Sequence, residues 1–186
     1  FAAPVKFEEE RRIGPGLGKE SIHNGLKACL VGLGLLFAFS VLYYKLAGLF
    51  AFFALLYNLL LVFIGLSMLG ATLTLPGIAG LVLTVGMAID ASILIFEKIK
   101  EDLAEGMTPR QAVRQGFKDA RTVILDANIT TFIVGIVLYK FGTGPLQGFA
   151  ATLMVGIIAT LITGLFFLKS LFTLMFDVFG FKKLWI

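Results

Sequence analysis

The sequence predicts an all-α membrane protein with five transmembrane helices, and three observations predict it. The chain is 58% hydrophobic and only 15% charged, against roughly 25% charged in an average soluble domain. Five long apolar segments run at about residues 23–44, 47–70, 76–97, 122–140 and 145–169, each near the ~20 residues that a helix needs to cross about 30 Å of hydrocarbon. One of them, Gly80-Leu-Val-Leu-Thr-Val-Gly-Met-Ala-Ile-Asp-Ala-Ser-Ile-Leu-Ile-Phe96, carries a lone carboxylate, Asp90. An Asp near the middle of a membrane helix costs about 2.5–3.5 kcal/mol on insertion scales, so such residues usually face a protein interior or a water-filled path. With residues 22–172 assigned to the membrane bundle, function is expected inside the bilayer.

Residues 1–21 are polar and punctuated by Gly and Pro. They read as the end of an extramembrane domain and a linker, with one short alternating patch, Pro4-Val-Lys-Phe-Glu8, suited to a strand. The start at Phe1, without Met or a signal-peptide pattern, reads as part of a longer protein. Gly14-Pro-Gly-Leu-Gly18 has the glycines of a phosphate loop but neither its Lys-Ser/Thr pair nor a preceding buried strand, so nucleotide binding is not expected. His23, the only histidine, falls at a helix start and reads as a capping or solvated side chain. Cys29 is the only cysteine, so no intrachain disulfide can form and no metal cluster or redox pair can be built from it. No cofactor is expected.

The net charge of +4 is spread over loops beside apolar runs, which points to lipid headgroups rather than nucleic acid. Lys45 lies between the first two segments, and residues 97–121 carry Lys98, Lys100, Arg110, Arg114, Lys118 and Arg121. Lys182 and Lys183 follow the last segment, in a tail of residues 173–186. The positive-inside rule then places the long loop (98–121) and the C-terminus in the cytoplasm. An odd number of spans puts the N-terminal arm outside, against which Arg11, Arg12, Lys19 and Lys27 weigh mildly.

Within the long loop, Gly106-Met-Thr-Pro109 ends one helical extension and starts another, with Thr108 as N-cap and Pro109 in the first turn. Val113, Phe117, Ala120 and Ile124 then share one helical side, while Arg110, Arg114 and Lys118 share another. This pattern predicts a short cytoplasmic amphipathic helix on the membrane surface, its basic side chains at lipid headgroups.

Helical rise sets the depth of the polar residues. Asp90 lies about 9 Å before Phe96, Asp126 about 7.5 Å after Arg121, and Asn128 about 10 Å in. Antiparallel packing would bring Asp90, Asp126 and Asn128 to one layer in the inner half of the bilayer, as a candidate proton relay. Asp126 is close enough to the interface, and to Arg121, that a structural role stands beside the functional one. Asp90 has no basic residue within two turns on its N-terminal side. Removal from water favours its neutral form, which suits a group that loads and unloads protons.

Small residues predict how the helices approach. Gly86 lies one turn before Asp90, and Asn128, Thr131 and Gly135 share a face of the fourth segment. The last segment reads Gly148, Thr152, Gly156, Thr160 and Gly164, a small residue at every fourth position, which is an extended packing seam.

The run Leu75-Pro-Gly-Ile-Ala-Gly80 continuing through Asp90 to Glu97, followed by Asp126-Ala-Asn-Ile-Thr-Thr131 and Gly142-Thr-Gly-Pro-Leu-Gln-Gly-Phe-Ala150, closely resembles the C-terminal membrane part of the SecD/SecF protein-export family. That family is related to the resistance-nodulation-division transporters. The likeness is to the SecD branch, since SecF sequences typically have Asn-Asp where this chain has Ile89-Asp90. It implies five helices of a six-helix bundle, a first helix and most of a periplasmic domain lying outside this sequence, and a bacterial cytoplasmic-membrane location with a periplasmic N-terminal arm. It also implies that Asp90 matches the intramembrane Asp associated with proton conduction. The implied partners are SecF, the SecY/SecE/SecG channel, YajC and the translocating preprotein. Ser92 departs from the Asn frequent in this motif, which alters the hydrogen-bonding pattern beside Asp90.

Two other readings remain open from the residues alone. One is a non-conducting scaffold subunit held by the small-residue seams; the other is a drug or lipid exporter of the same superfamily, which would normally need a second related membrane half. No nucleophile and base are paired by spacing, so an enzyme is not expected.

Overall fold

The computed structural model describes residues 15–71 and 73–178, and every element in them is helical. Helix α1 (Pro15–Met68) leads to α2 (Leu75–Ala104), α3 (Pro109–Phe141) and α4 (Gly144–Ile162). A π-helical turn, Thr163–Phe167, then joins α4 to α5 (Leu168–Val178). The first helix reaches back past the predicted start to Pro15, so His23 is an exposed residue within it rather than at its beginning. The strand patch at Pro4–Glu8 and the tail lysines lie outside the described residues.

Among the described residues four apolar stretches are long enough to cross a membrane, and the first, Ile22–Met68, is 47 residues long. It does not run straight. Lys45 has φ 49° and ψ −113°, and the two arms fold back on each other there, bringing the Phe37 and Phe52 rings to 4.4 Å. Gly48 permits the bend, because a Cβ on it would lie 2.0 Å from the Ser40 carbonyl oxygen. The stretch therefore supplies two of five spanning segments. At the opposite end of the second arm Gly70 takes φ 59° and closes α1 with an Ala71 N–H to Leu66 O bond of 3.1 Å, the wide closing bond of a Schellman turn.

Start signals match the remaining helices. Thr74 caps α2, its hydroxyl accepting the Gly77 N–H at 3.1 Å. Thr108 is the N-cap of α3, with Pro109 in the first turn and the Thr108 N–H donated to Gln111 Oε1 at 3.3 Å. The amphipathic stretch after Pro109 is helical but continuous with the fourth span, forming one helix of 33 residues. Its apolar side covers protein, not lipid: Val113, Phe117, Ala120 and Ile124 join a buried cluster with Phe96, Ile99 and Phe172. Arg110, Arg114 and Lys118 lie on the exposed side.

Helices α2 and α4 form the centre, with α1 packed on one side and α3 on the other. The core falls into two clusters. One lies at the end near Lys45 and Gly106, and the second, around Leu55, Val62, Leu81, Val85 and Ile89, fills the other half. In the first, Phe172 is fully buried with its ring 5.4 Å from Phe50 and 5.9 Å from both Phe96 and Phe117. Phe172→Ala should cost about 3–5 kcal/mol through lost contacts and the cavity left behind. Thermal unfolding of the purified protein checks this against Leu174→Ala, an exposed neighbour expected to change stability by less than about 0.5 kcal/mol.

Candidate functional site

Asp90 sits mid-way along α2 on a face that this chain leaves exposed, flanked by buried Ile89 and Ala91. Beside it, between α2 and α3, is a cavity of about 430 Å³. Asp90 and Glu97 line it from α2, Asn128 and Thr131 from α3, and Met87, Leu94, Ile124 and Ala127 supply apolar walls. The antiparallel packing thus brings Asp90 and Asn128 to one space. Asp126 does not line it; its side chain is exposed elsewhere on α3, and its backbone carbonyl accepts the Thr130 hydroxyl at 2.9 Å.

The partners of these groups are already fixed within their own helices. Asn128 donates Nδ2 to Ile124 O at 2.8 Å, and the Thr131 hydroxyl donates to Ala127 O at 3.0 Å. Asp90 makes no hydrogen bond or ion pair among the described residues. The nearest lysines along α2 are engaged at the end of the helix near Gly106: Lys98 pairs with Glu101, and Lys100 lies 3.9 Å from Glu97 and over the Tyr43 ring. Glu97 in turn accepts the Tyr44 hydroxyl at 2.9 Å, tying the Lys45 bend to α2. Asp90 therefore combines an open face, a cavity shared with Asn128 and no polar partner among the described residues, in an apolar helix where a carboxylate is costly.

Four of the five small residues of the last span face α2, and the fifth, Thr160, meets Asn58 of α1. A Cβ on Gly148 would come within 2.3 Å of Thr74, and one on Gly156 within 2.2 Å of Thr84. Thr152 lies against Gly77 and Gly80, and Gly164 against Ala91. Gly135 of α3 meets Met154 of α4. Gly86 differs: a Cβ there would meet nothing within 4 Å, so it marks an open surface beside Asp90 and not a close helix contact.

One polar group escaped the sequence reading. Asn58, in the second arm of α1, is fully buried and donates Nδ2 to Thr160 Oγ1 at 3.2 Å and to Thr163 Oγ1 at 3.3 Å. Its Oδ1 has no donor among the described residues, an arrangement that costs about 1–3 kcal/mol for a buried acceptor. The signal was present, since Asn58 stands alone in Leu55-Leu-Tyr-Asn-Leu-Leu-Leu61 and the cost that singles out Asp90 applies to it as well.

Residues 2–177 match the family model described as protein export membrane protein SecD/SecF, C-terminal. The chain belongs to the SecD/SecF family. Among similar SecD/SecF proteins, the protein translocase subunit SecD of Pseudomonas aeruginosa is 48% identical over 186 residues, covering 100% of this chain and 30% of that protein. The SecD of Rickettsia conorii is 48% identical over 182 residues, covering 98% of this chain and 35% of the relative. The crystal structure of SecDF, a translocon-associated membrane protein from Thermus thermophilus, matches with a TM-score of 0.85 and 43% identity over 89% of this chain and 23% of that one. The chain thus spans about a third of the length of the SecD relatives it matches. Its family and its long apolar helices make it a bacterial membrane protein.

Proposed function

We propose that this chain is the membrane part of a SecD-type subunit that uses the proton motive force to promote preprotein translocation, with Asp90 as the group that exchanges protons. The observation that carries this reading is the placement of Asp90: at membrane depth, unpaired within the described residues, on an exposed face and lining the space it shares with Asn128. Its counterpart is supplied by SecF, packed over the open side of α2 and α3, and the assembly docks on the SecY/SecE/SecG channel together with YajC. The chain works by conformational change and carries out no covalent chemistry. Arg110, Arg114 and Lys118 face anionic headgroups at the cytoplasmic surface, where each basic residue contributes about 1 kcal/mol. Asp126, outside the shared cavity, plays a secondary part at most in the relay.

Protonation removes the charge of Asp90 and changes how α2 packs against α3 and α4. A swing of the bundle then moves the periplasmic portion of the subunit. One charge crossing 100 mV supplies about 2.3 kcal/mol, whereas taking an equilibrium from 1:99 to 99:1 takes about 5.5 kcal/mol. A single proton at that voltage biases the switch without completing it, so a pH gradient or more than one proton per cycle is required.

The orientation this needs is tested by cysteine labelling. In a Cys29→Ala background, Glu105→Cys is expected to react with an impermeant thiol reagent only from the cytoplasmic side, and Thr143→Cys only from the periplasmic side; both residues are exposed, at opposite ends of α3. The reverse pattern would overturn the topology and, with it, the assignment of Asp90 to the inner half of the bilayer. The reading itself is tested by Asp90→Asn, in an export assay with and without the proton motive force.

A further inference from the structure

Thr163, whose hydroxyl accepts from Asn58, is the first residue of the π turn, and Thr160 precedes it by one turn. A π turn accommodates one residue more than the α-helix around it, and such turns gather at functional sites. Here side chains pin it from two directions. The Thr163 hydroxyl donates to Ala159 O at 2.9 Å, while its oxygen accepts from Asn58 across the helix interface. The next residue, Gly164, faces α2, where a Cβ built on it would lie 4.0 Å from the Ala91 side chain. Ala91 follows Asp90 in sequence and lines the same cavity. The π turn is therefore the part of the last span that abuts the Asp90 segment, and Asn58 is what reaches it from α1.

We infer that Asn58 is a positioning residue: it holds the π turn Thr163–Phe167 against Ala91, and movement at that contact couples Asp90 to the end of the last span. Beyond the turn, α5 carries Leu168, Phe172 and Met175 into the core beside Phe96 and Phe117. A change of winding at Thr163–Phe167 rotates these side chains relative to α2 and α3. The coupling rests on the proposed role of Asp90, whereas the contact rests on the geometry alone.

The test is a disulfide between Ala91→Cys and Gly164→Cys in a Cys29→Ala background, in the protein expressed in its own membrane. The 4.0 Å Cβ separation falls within the roughly 3.5–4.5 Å that disulfides take. Mild oxidation is expected to close the pair in most molecules, and adding Asn58→Leu to lower the yield several-fold; equal yields would overturn the pinning. Closing the pair is expected to remove proton-driven stimulation of export and reductant to restore it, whereas full stimulation with the pair closed would overturn the coupling. Should Asn58→Leu fail to accumulate, deletion of Phe166, an exposed residue of the π turn, provides a second route. It takes out the extra residue and keeps Phe172 in phase, so loss of stimulation with normal accumulation is expected, and unchanged stimulation would count against the coupling. The disulfide yield is read without export, so it separates this inference from the reading of Asp90: an Asp90→Asn protein that keeps stimulation, while the closed pair abolishes it, sinks that reading and leaves the pinning intact.

Discussion

Asp90→Asn is expected to reduce proton-driven stimulation of export to the level of cells lacking the protein, while the variant accumulates normally. The substitution keeps shape and removes only the ability to ionise. It should also ease insertion, since the carboxylate costs about 2.5–3.5 kcal/mol at membrane depth and an amide less. No protein contact is lost among the described residues, because Asp90 makes no hydrogen bond or ion pair there. Asp126→Asn provides the comparison. Asp126 lies outside the cavity that Asp90 shares with Asn128, so its loss should leave most of the stimulation in place. A scaffold subunit behaves differently: Asp90→Asn would be silent in it.

The second large effect is structural. Gly156→Leu is expected to prevent assembly of the bundle, seen as loss of the protein from membranes and of its folded fraction after extraction. Even a bare Cβ at Gly156 would lie 2.2 Å from Thr84 Cγ2, and Thr84 is buried with its hydroxyl bonded to Leu81 O at 2.8 Å. The seam between α2 and α4 must open to admit it, and overpacking of this kind costs about 1–3 kcal/mol or more. Gly86→Ala makes the contrast, because a Cβ there meets nothing within 4 Å. In an open helical position the change should be neutral or add up to about 1 kcal/mol of stability. Comparable damage from both substitutions would show that general intolerance of glycine replacement, rather than the seam, governs the fold.

The difference between these two glycines shows where a sequence stops being informative. Spacing alone marks Gly156 because it belongs to a row of small residues at every fourth position, and a row implies a neighbour along its whole length. Gly86 has no such row, and which side of α2 it occupies relative to α4 depends on packing that one helix does not encode. The spans and the seam were legible for the same reason: hydropathy and period are local. The shared level of Asp90 and Asn128 was legible as well, since helical rise converts residue number into distance. Rise does not fix rotation, so Asp126, at nearly the same depth as Asn128, was placed with it although it projects away from the shared cavity. The basic stripe of Arg110, Arg114 and Lys118 revealed an amphipathic helix, but not that Phe117 on its other side would meet Phe172 from the end of the chain. Asn58 was missed because an amide in an apolar run draws less attention than a carboxylate, and the π turn it holds has no sequence signature.

The most direct measurement is infrared difference spectroscopy of the assembled complex in membranes, stepped in pH across the range in which export is stimulated. A carboxylic acid C=O band that appears and disappears with pH, and is absent from Asp90→Asn, is the predicted result. A spectrum in which Asp90→Asn removes no such band, so that Asp90 keeps one protonation state throughout, would contradict the proposed role of Asp90 in proton exchange.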